Sequence, residues 1–171
     1  MATSNIVRPR ARWVEMLEAV YAPAKDTETW ANGVALSALD LFRCDDAINL
    51  TVVHHDEMCM GADVTAVGAG RKGTLIADAT VGDIRQAGPV GLRTFFYPPA
   101  MVTTHSELER ILTGDQREML RSIRLRGMKD ALGVVVHPEP GVIVVLSCVL
   151  DRELTPTWRE RMHLSRLGLH L

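Results

Sequence analysis

The chain has 171 residues, 47% of them hydrophobic and 23% charged, and a formal net charge of −2. Such a length suits one domain that buries roughly two-thirds of its unfolded surface without a disulfide or metal staple. The charge balance excludes an extended phosphate-binding face, and no apolar run approaches the roughly 20 residues needed to cross a bilayer. Cys44, Cys59 and Cys148 are odd in number and widely spaced, so reduced thiols in a cytoplasmic protein are expected instead of a disulfide framework.

Residues 1–11 hold arginines and a proline but no apolar signal core, and read as a flexible arm before a single domain over 12–171. Trp13, Met16, Leu17 and Val20 recur at helical spacing and stop before Pro23, which predicts a short amphipathic helix. A second helix follows, capped by Asp26 or Thr27, with Trp30, Val34 and Leu41 on a broad apolar face. Gly33 within it costs about 1 kcal/mol relative to alanine and suggests a close helix–strand approach. Ala47 to Val53 reads as a strand with Ile48, Leu50 and Val52 on one face and Asn49, Thr51 and Val53 on the other. After a turn over His54 to Gly61, Ala62 to Ala69 returns as its hairpin partner.

Gly68-Ala69-Gly70-Arg71-Lys72-Gly73 lacks the spacing of a phosphate-cradling loop and reads as a flexible break. Thr74 to Ala87 is a weak helical segment ended by Gly88-Pro89. One or both of the runs Leu92 to Tyr97 and Met101 to Thr104 form a third strand. Ser106-Glu107-Leu108-Glu109 and Thr113-Gly114-Asp115-Gln116 each have the pattern of a capping box, so two helices follow, the second ending at Gly127. The arginines at 117, 121, 124 and 126 give that helix a solvated basic face. Ala131 to His137, the turn Pro138-Glu139-Pro140-Gly141, and Val142 to Leu150 make an apolar hairpin at the centre of a sheet covered on both faces. Thr155-Pro156 opens a last helix that is still running at Leu171.

Strands that come mostly as hairpins exclude a doubly wound parallel sheet. The class is α+β: a central antiparallel sheet of five or six strands, with the first and last helices on one face and the middle helices on the other.

Several stretches carry a likeness to a known family. They are Glu28-Thr29-Trp30-Ala31-Asn32-Gly33-Val34, Val102-Thr103-Thr104-His105-Ser106-Glu107, Lys129-Asp130-Ala131-Leu132-Gly133-Val134, and the closing Leu164 to Leu171. In these the chain resembles the GAF-like N-terminal sensory domain of LuxR-type helix-turn-helix transcription regulators. The resemblance implies a GAF/PAS-like, non-catalytic domain that binds a small molecule or a partner and signals through its terminal helices. It also implies that DNA is met only through a helix-turn-helix domain beyond Leu171, and the chain itself has no catalytic set to carry over.

Phe95, Phe96, Tyr97 and Met101 are candidates to line a ligand pocket between the sheet and the middle helices, with His105 beside them, because aromatics are otherwise scarce. No particular cofactor is implied. Trp13, Trp30 and Trp158 read as core or dimer-seam residues, consistent with a homodimer through the terminal helices. His54, His55 and Cys59, in the donor-rich segment His54 to Met60, are the candidates for a soft metal, completed by His105 or His137. Two other readings remain open at this point. One is a metal- or thiol-dependent enzyme using Cys59 and the nearby histidines, and the other a purely structural dimerisation module. Cys148, inside an apolar strand, reads as a buried inert thiol.

Overall fold

The computed structural model describes residues 11–42, 44, 46–56, 62–96, 100–124 and 127–171, without the side chains of 11, 87–96, 119 and 122–124. The chain begins with helices α1 (Ala11–Tyr21) and α2 (Thr27–Leu41), then the hairpin β1 (Ala47–His55) and β2 (Ala62–Ala69). A long helix α3 (Gly73–Phe96) leads to the short strand β3 (Val102–Thr104) and helices α4 (His105–Ile111) and α5 (Gly114–Arg124). The second hairpin, β4 (Asp130–Glu139) and β5 (Val142–Leu150), and helix α6 (Trp158–Gly168) complete it. The five strands form one antiparallel sheet in the order β2-β1-β5-β4-β3, so the apolar hairpin β4–β5 occupies the middle, as its sequence predicts.

Period-two alternation sorts the strand residues onto two faces. On the first face Ile48, Leu50, Val134, Leu146 and Cys148 join Met16 of α1, Val34, Ala38 and Leu41 of α2, and Leu164 and Leu167 of α6 in one continuous core. On the second face Val53, Val64, Val135 and Ile143 meet Ile84 of α3 in a smaller cluster. Terminal helices on one side and middle helices on the other is the predicted layering, with α5 resting on α3 and α4.

Several boundaries differ from the sequence reading, each for a local reason. Helix α3 runs through Gly88-Pro89 to Phe96, so Leu92 to Phe96 is helix, and β3 alone supplies the third strand. The aromatic, β-favouring run yields to tertiary context: Ala77 and Ile84 are buried in α3, which packs on β1 and β2, and that docking outweighs a weak local propensity. The capping box at α4 is set by Thr104 with Glu107, two residues ahead of the Ser106 expected, because Ser106 is occupied elsewhere. The box at α6 is Thr157 with Glu160, and the helix stops at Gly168, one turn short of Leu171.

Close helix–sheet approach occurs at a different glycine from the one foreseen. Nothing described lies within 4 Å of a Cβ added at Gly33, whereas one added to Gly168 would sit 3.0 Å from Val136 Cγ1, 3.1 Å from Val134 Cγ1 and 2.7 Å from Met101 Sδ. The methionine tip can swing aside but the two valines are held in β4. Gly168→Ala is therefore expected to lower stability by about 1–2 kcal/mol, read by urea unfolding, against roughly no loss for a small substitution in open space.

Candidate functional site: the small-residue row of the second sheet face

Strand pairing lines up one row of small and polar residues across all five strands. Gly68 of β2 stands opposite Asn49 of β1, Asn49 opposite Ser147 of β5, Ser147 opposite Gly133 of β4, and Gly133 opposite Thr103 of β3. The row lies on the second face, where the next row carries Thr51, Val145 and Val135. In two central strands built mostly from valine and leucine, this is where the side chains shrink.

The two faces of the sheet differ in how deeply its central residues are covered. On the first face Leu132, Val134, Val136, Val144, Leu146, Cys148 and Leu150 are all buried. On the second, Ala131, Gly133, Val145 and Ser147 are only half-buried although they belong to interior strands. Among the described residues, a Cβ added to Gly133 would meet only the Thr103 carbonyl oxygen, 3.9 Å away. Helix α3 covers the β1–β2 half of this face, and the half-buried small residues lie over β4 and β5. Beside this row Val53, Val135 and Ile143 are buried against Ile84 of α3, so the second face is part core and part small, half-buried polar surface.

One polar group of the row is fixed by its neighbours. Asn49 Nδ2 donates to Thr51 Oγ1 at 3.0 Å and to Thr80 Oγ1 of α3 at 3.2 Å. The Thr80 hydroxyl gives its own proton to the Ile76 carbonyl at 2.8 Å, so it can only accept from Asn49, and the amide orientation follows. Asn49 Oδ1 is then a buried acceptor with no partner among the described residues. Ser147 Oγ beside it donates to the Asn49 carbonyl at 3.3 Å.

The edge of the site near β3 is braced by charge. Asp130, fully buried at the start of β4, accepts from the Ser106 and Ala131 N–H groups at 3.0 and 2.9 Å through Oδ1. Through Oδ2 it accepts from Ser106 Oγ and the Leu154 N–H, both at 2.9 Å. Arg161 of α6 donates to the Val102 carbonyl at 2.8 Å and to Glu107, whose other carboxylate oxygen accepts from the Thr104 N–H at 3.0 Å. β3, the N-terminus of α4, the start of β4 and α6 are thus one junction. Three of the stretches that carry the sequence resemblance, around Val102–Glu107, Lys129–Val134 and Leu164–Leu171, meet or adjoin there.

Of the residues singled out from sequence, the described ones lie at several places in the fold. Met101 packs against the first-face core beside Gly168, on the opposite side of the sheet from the row. The backbone of Phe95 and Phe96 forms the last turn of α3, and Tyr97 lies outside the described residues. His105 is buried as the first residue of α4. His54 and His55 are successive residues of β1 and so point to opposite faces, with His55 Nδ1 2.6 Å from the Asp56 carbonyl, and Cys59 lies outside the described residues. Among the described residues no three His, Cys, Asp or Glu side chains are placed to hold a metal. Asn49, Thr103, Gly133 and Ser147 were missed as a group. The only sequence signal for them is the recurrence of Asn, Thr, Gly and Ser inside otherwise apolar strands.

Two further features stand apart from the row. A shallow groove of about 470 Å³ opens between the α1–α2 turn and the end of β1, lined by Ala24, Asp26, Trp30, Val52 and His54. Cys44 and Cys148 are both buried in the first-face core, and Cys44 Sγ donates to the Val149 carbonyl at 2.8 Å. The hydrogen bond from Cys148 draws the Cys44 thiol down to about 7, while that same bond, with burial, pushes Cys148 well above the usual thiol range.

No family model matches the sequence, and no curated protein matches it. Solved structures do match in fold. The N-acylhomoserine lactone dependent LuxR family transcription factor CepR2 of Burkholderia cenocepacia superposes with a TM-score of 0.60 at 14% identity, over 94% of this chain and 88% of CepR2. SdiA of Escherichia coli superposes with a TM-score of 0.52 at 12% identity, over 94% of this chain and 64% of SdiA. The chain thus spans less than two-thirds of the SdiA structure. At these identities the likeness establishes architecture: the chain has the α+β fold found in CepR2 and SdiA.

Proposed function

We propose that this chain is a non-catalytic sensor domain of a LuxR-type transcription regulator, binding a small molecule on the second sheet face. The observation that carries this reading is the half-burial of Gly133 and Ser147 at the sheet centre, where Leu132, Val134, Leu146 and Cys148 of the same two strands are buried on the other face. The fold shared with CepR2, a transcription factor described as dependent on N-acylhomoserine lactone, supports it. The chain acts in the cytoplasm and touches DNA only through a separate helix-turn-helix domain. No helix among the described residues is long and apolar enough to cross a membrane.

The proposal extends to a homodimer through the terminal helices. α1 and α6 lie side by side, with the Tyr21 hydroxyl 2.7 Å from His170 Nδ1 and the rings of Trp13 and His163 6.0 Å apart. Their outer surface exposes Val14, Tyr21, Trp158, Met162 and Leu169, an apolar stripe with Trp158 73% exposed. Binding on the second sheet face is transmitted across the sheet to this pair.

Gly133→Leu covers the small-residue row without touching the first-face core. The test is thermal unfolding of wild type and variant against a panel of amphipathic small molecules that includes N-acylhomoserine lactones. A true ligand at a hundredfold excess over Kd raises the wild-type Tm by about 5–10 °C. The variant, with unchanged circular dichroism, shows no rise. Absence of any rise in wild type, or an equal rise in the variant, overturns the reading.

A further inference from the structure

We infer that the groove between the α1–α2 turn and the end of β1 is a separate binding site, and that it takes a small organic cation, an alkylated ammonium with a short apolar tail. The groove lies on the first-face side of the sheet, so it does not rest on the second-face reading above. Its volume of about 470 Å³ falls in the range of small-ligand pockets. A ligand reaches it directly from solvent: Ala24, Asp26, Thr27 and His54 are exposed, Trp30 is half-buried, and of the lining only Val52 is buried.

The polar groups of the lining select the sign of the charge. Helix α2 begins here, and a helix N-terminus with open N–H groups attracts anions. The Asp26 carboxylate already sits where an anion would, its Oδ1 accepting from the Thr29 N–H at 2.8 Å. Hydrogen bonds from Thr29, side chain and backbone, hold this carboxyl below the usual carboxylate range, so it is charged at neutral pH and repels an anion. Asp63, the partner of His54 across the β1–β2 ladder, is exposed on the same sheet face and adds a second negative charge nearby.

Trp30 supplies the other half of the recognition. Its Nε1 donates to the Val20 carbonyl at 2.9 Å, which ties the ring to α1 and leaves only ring carbons to meet a ligand. An aromatic ring held four residues from a carboxylate suits an ammonium, above all an alkylated one whose charge lies inside an apolar shell. Ala24 and Val52 give the tail its apolar contact. Lys25 Nζ lies 3.7 Å from Asp26 Oδ2 with its side chain 80% exposed, a weak surface pair that an incoming ammonium displaces.

Choline and its neutral carbon isostere, dimethylbutanol, share a shape and differ in the charged nitrogen. Each is titrated into the full chain while the tryptophan indole N–H signals are followed by proton–nitrogen NMR. The expected result is a saturable shift of the Trp30 signal, with choline binding about tenfold tighter than the alcohol and the Trp13 and Trp158 signals unmoved. Asp26→Asn keeps the helix cap, since asparagine caps as well as aspartate, and is expected to weaken choline about threefold while leaving dimethylbutanol unchanged. Lys25→Ala removes the competing ammonium and tightens choline. Equal affinity for the two probes, no Trp30 shift with choline, or choline binding untouched by Asp26→Asn overturns the inference, and each of these results leaves the second-face reading standing.

Discussion

Asp130→Ala is expected to lower the unfolding free energy by about 4 kcal/mol, a large share of the roughly 5–15 kcal/mol that holds a domain of this kind together. The truncation strips one acceptor from four donors at once: the N–H groups of Ser106, Ala131 and Leu154 and the Ser106 hydroxyl. All four surround a carboxylate with no exposed surface, so water cannot replace it without opening the junction between β4, α4 and the segment leading to α6. Each buried donor left unpaired costs about 1–3 kcal/mol, and partial relaxation keeps the total below the simple sum. Asp130→Asn keeps the volume and one carbonyl oxygen but turns an NH2 toward two donors, and is expected to lose about 2 kcal/mol. Equilibrium urea unfolding of the three proteins gives the comparison. A loss below about 1 kcal/mol for the alanine variant would mean the donors find other partners and the junction is not a structural keystone.

The ordering of these effects reflects what a linear sequence carries. The hairpin at Ala131–Leu150, the strand Ala62–Ala69 and the helix after Asp26 were legible because apolar periodicity and turn chemistry are local. The layering followed from them, since a sheet with two apolar faces needs helices on both. The candidate site was not legible, because it is a property of register. Asn49, Ser147, Gly133 and Thr103 are spread over nearly a hundred positions, and only the pairing of four strands puts them in one row. The aromatic cluster at Phe95–Tyr97 drew attention through residue type, yet its helix is set by docking further back, at Ala77 and Ile84. The resemblance did locate something real in Val102–Glu107 and Asp130. What those motifs share is the Asp130–Ser106 and Arg161–Glu107 bracing, a structural junction at the end of the sheet next to the small-residue row.

The same glycine-to-alanine change is expected to act with opposite sign at two places in one supersecondary unit. A Cβ at Gly68 would fall 1.9 Å from the Gly73 carbonyl oxygen and 2.2 Å from its carbon, against the roughly 3.5 Å at which such atoms are at ease. The obstacle is backbone, so no rotamer change relieves it. Either the end of β2 or the start of α3 has to move by more than 1 Å, roughly the deficit in that contact. The Gly68–Gly73 segment is accordingly no flexible loop but the tightest backbone crossing described in the chain, further pinned by Lys72 N–H donating to the Asp46 carbonyl at 2.9 Å. Gly68→Ala is expected to cost about 3 kcal/mol or more. It should also tilt α3 and disturb the Thr80–Asn49 contact that ties it to the sheet. Gly82, in the middle of α3, has nothing described within 4 Å of its added Cβ, and Gly82→Ala is expected to stabilise by about 0.5–1 kcal/mol through helix propensity alone. Chemical denaturation of both variants tests the pair together: losses of equal size would show that the Gly68–Gly73 crossing does not anchor α3, and that the helix is held on the sheet elsewhere.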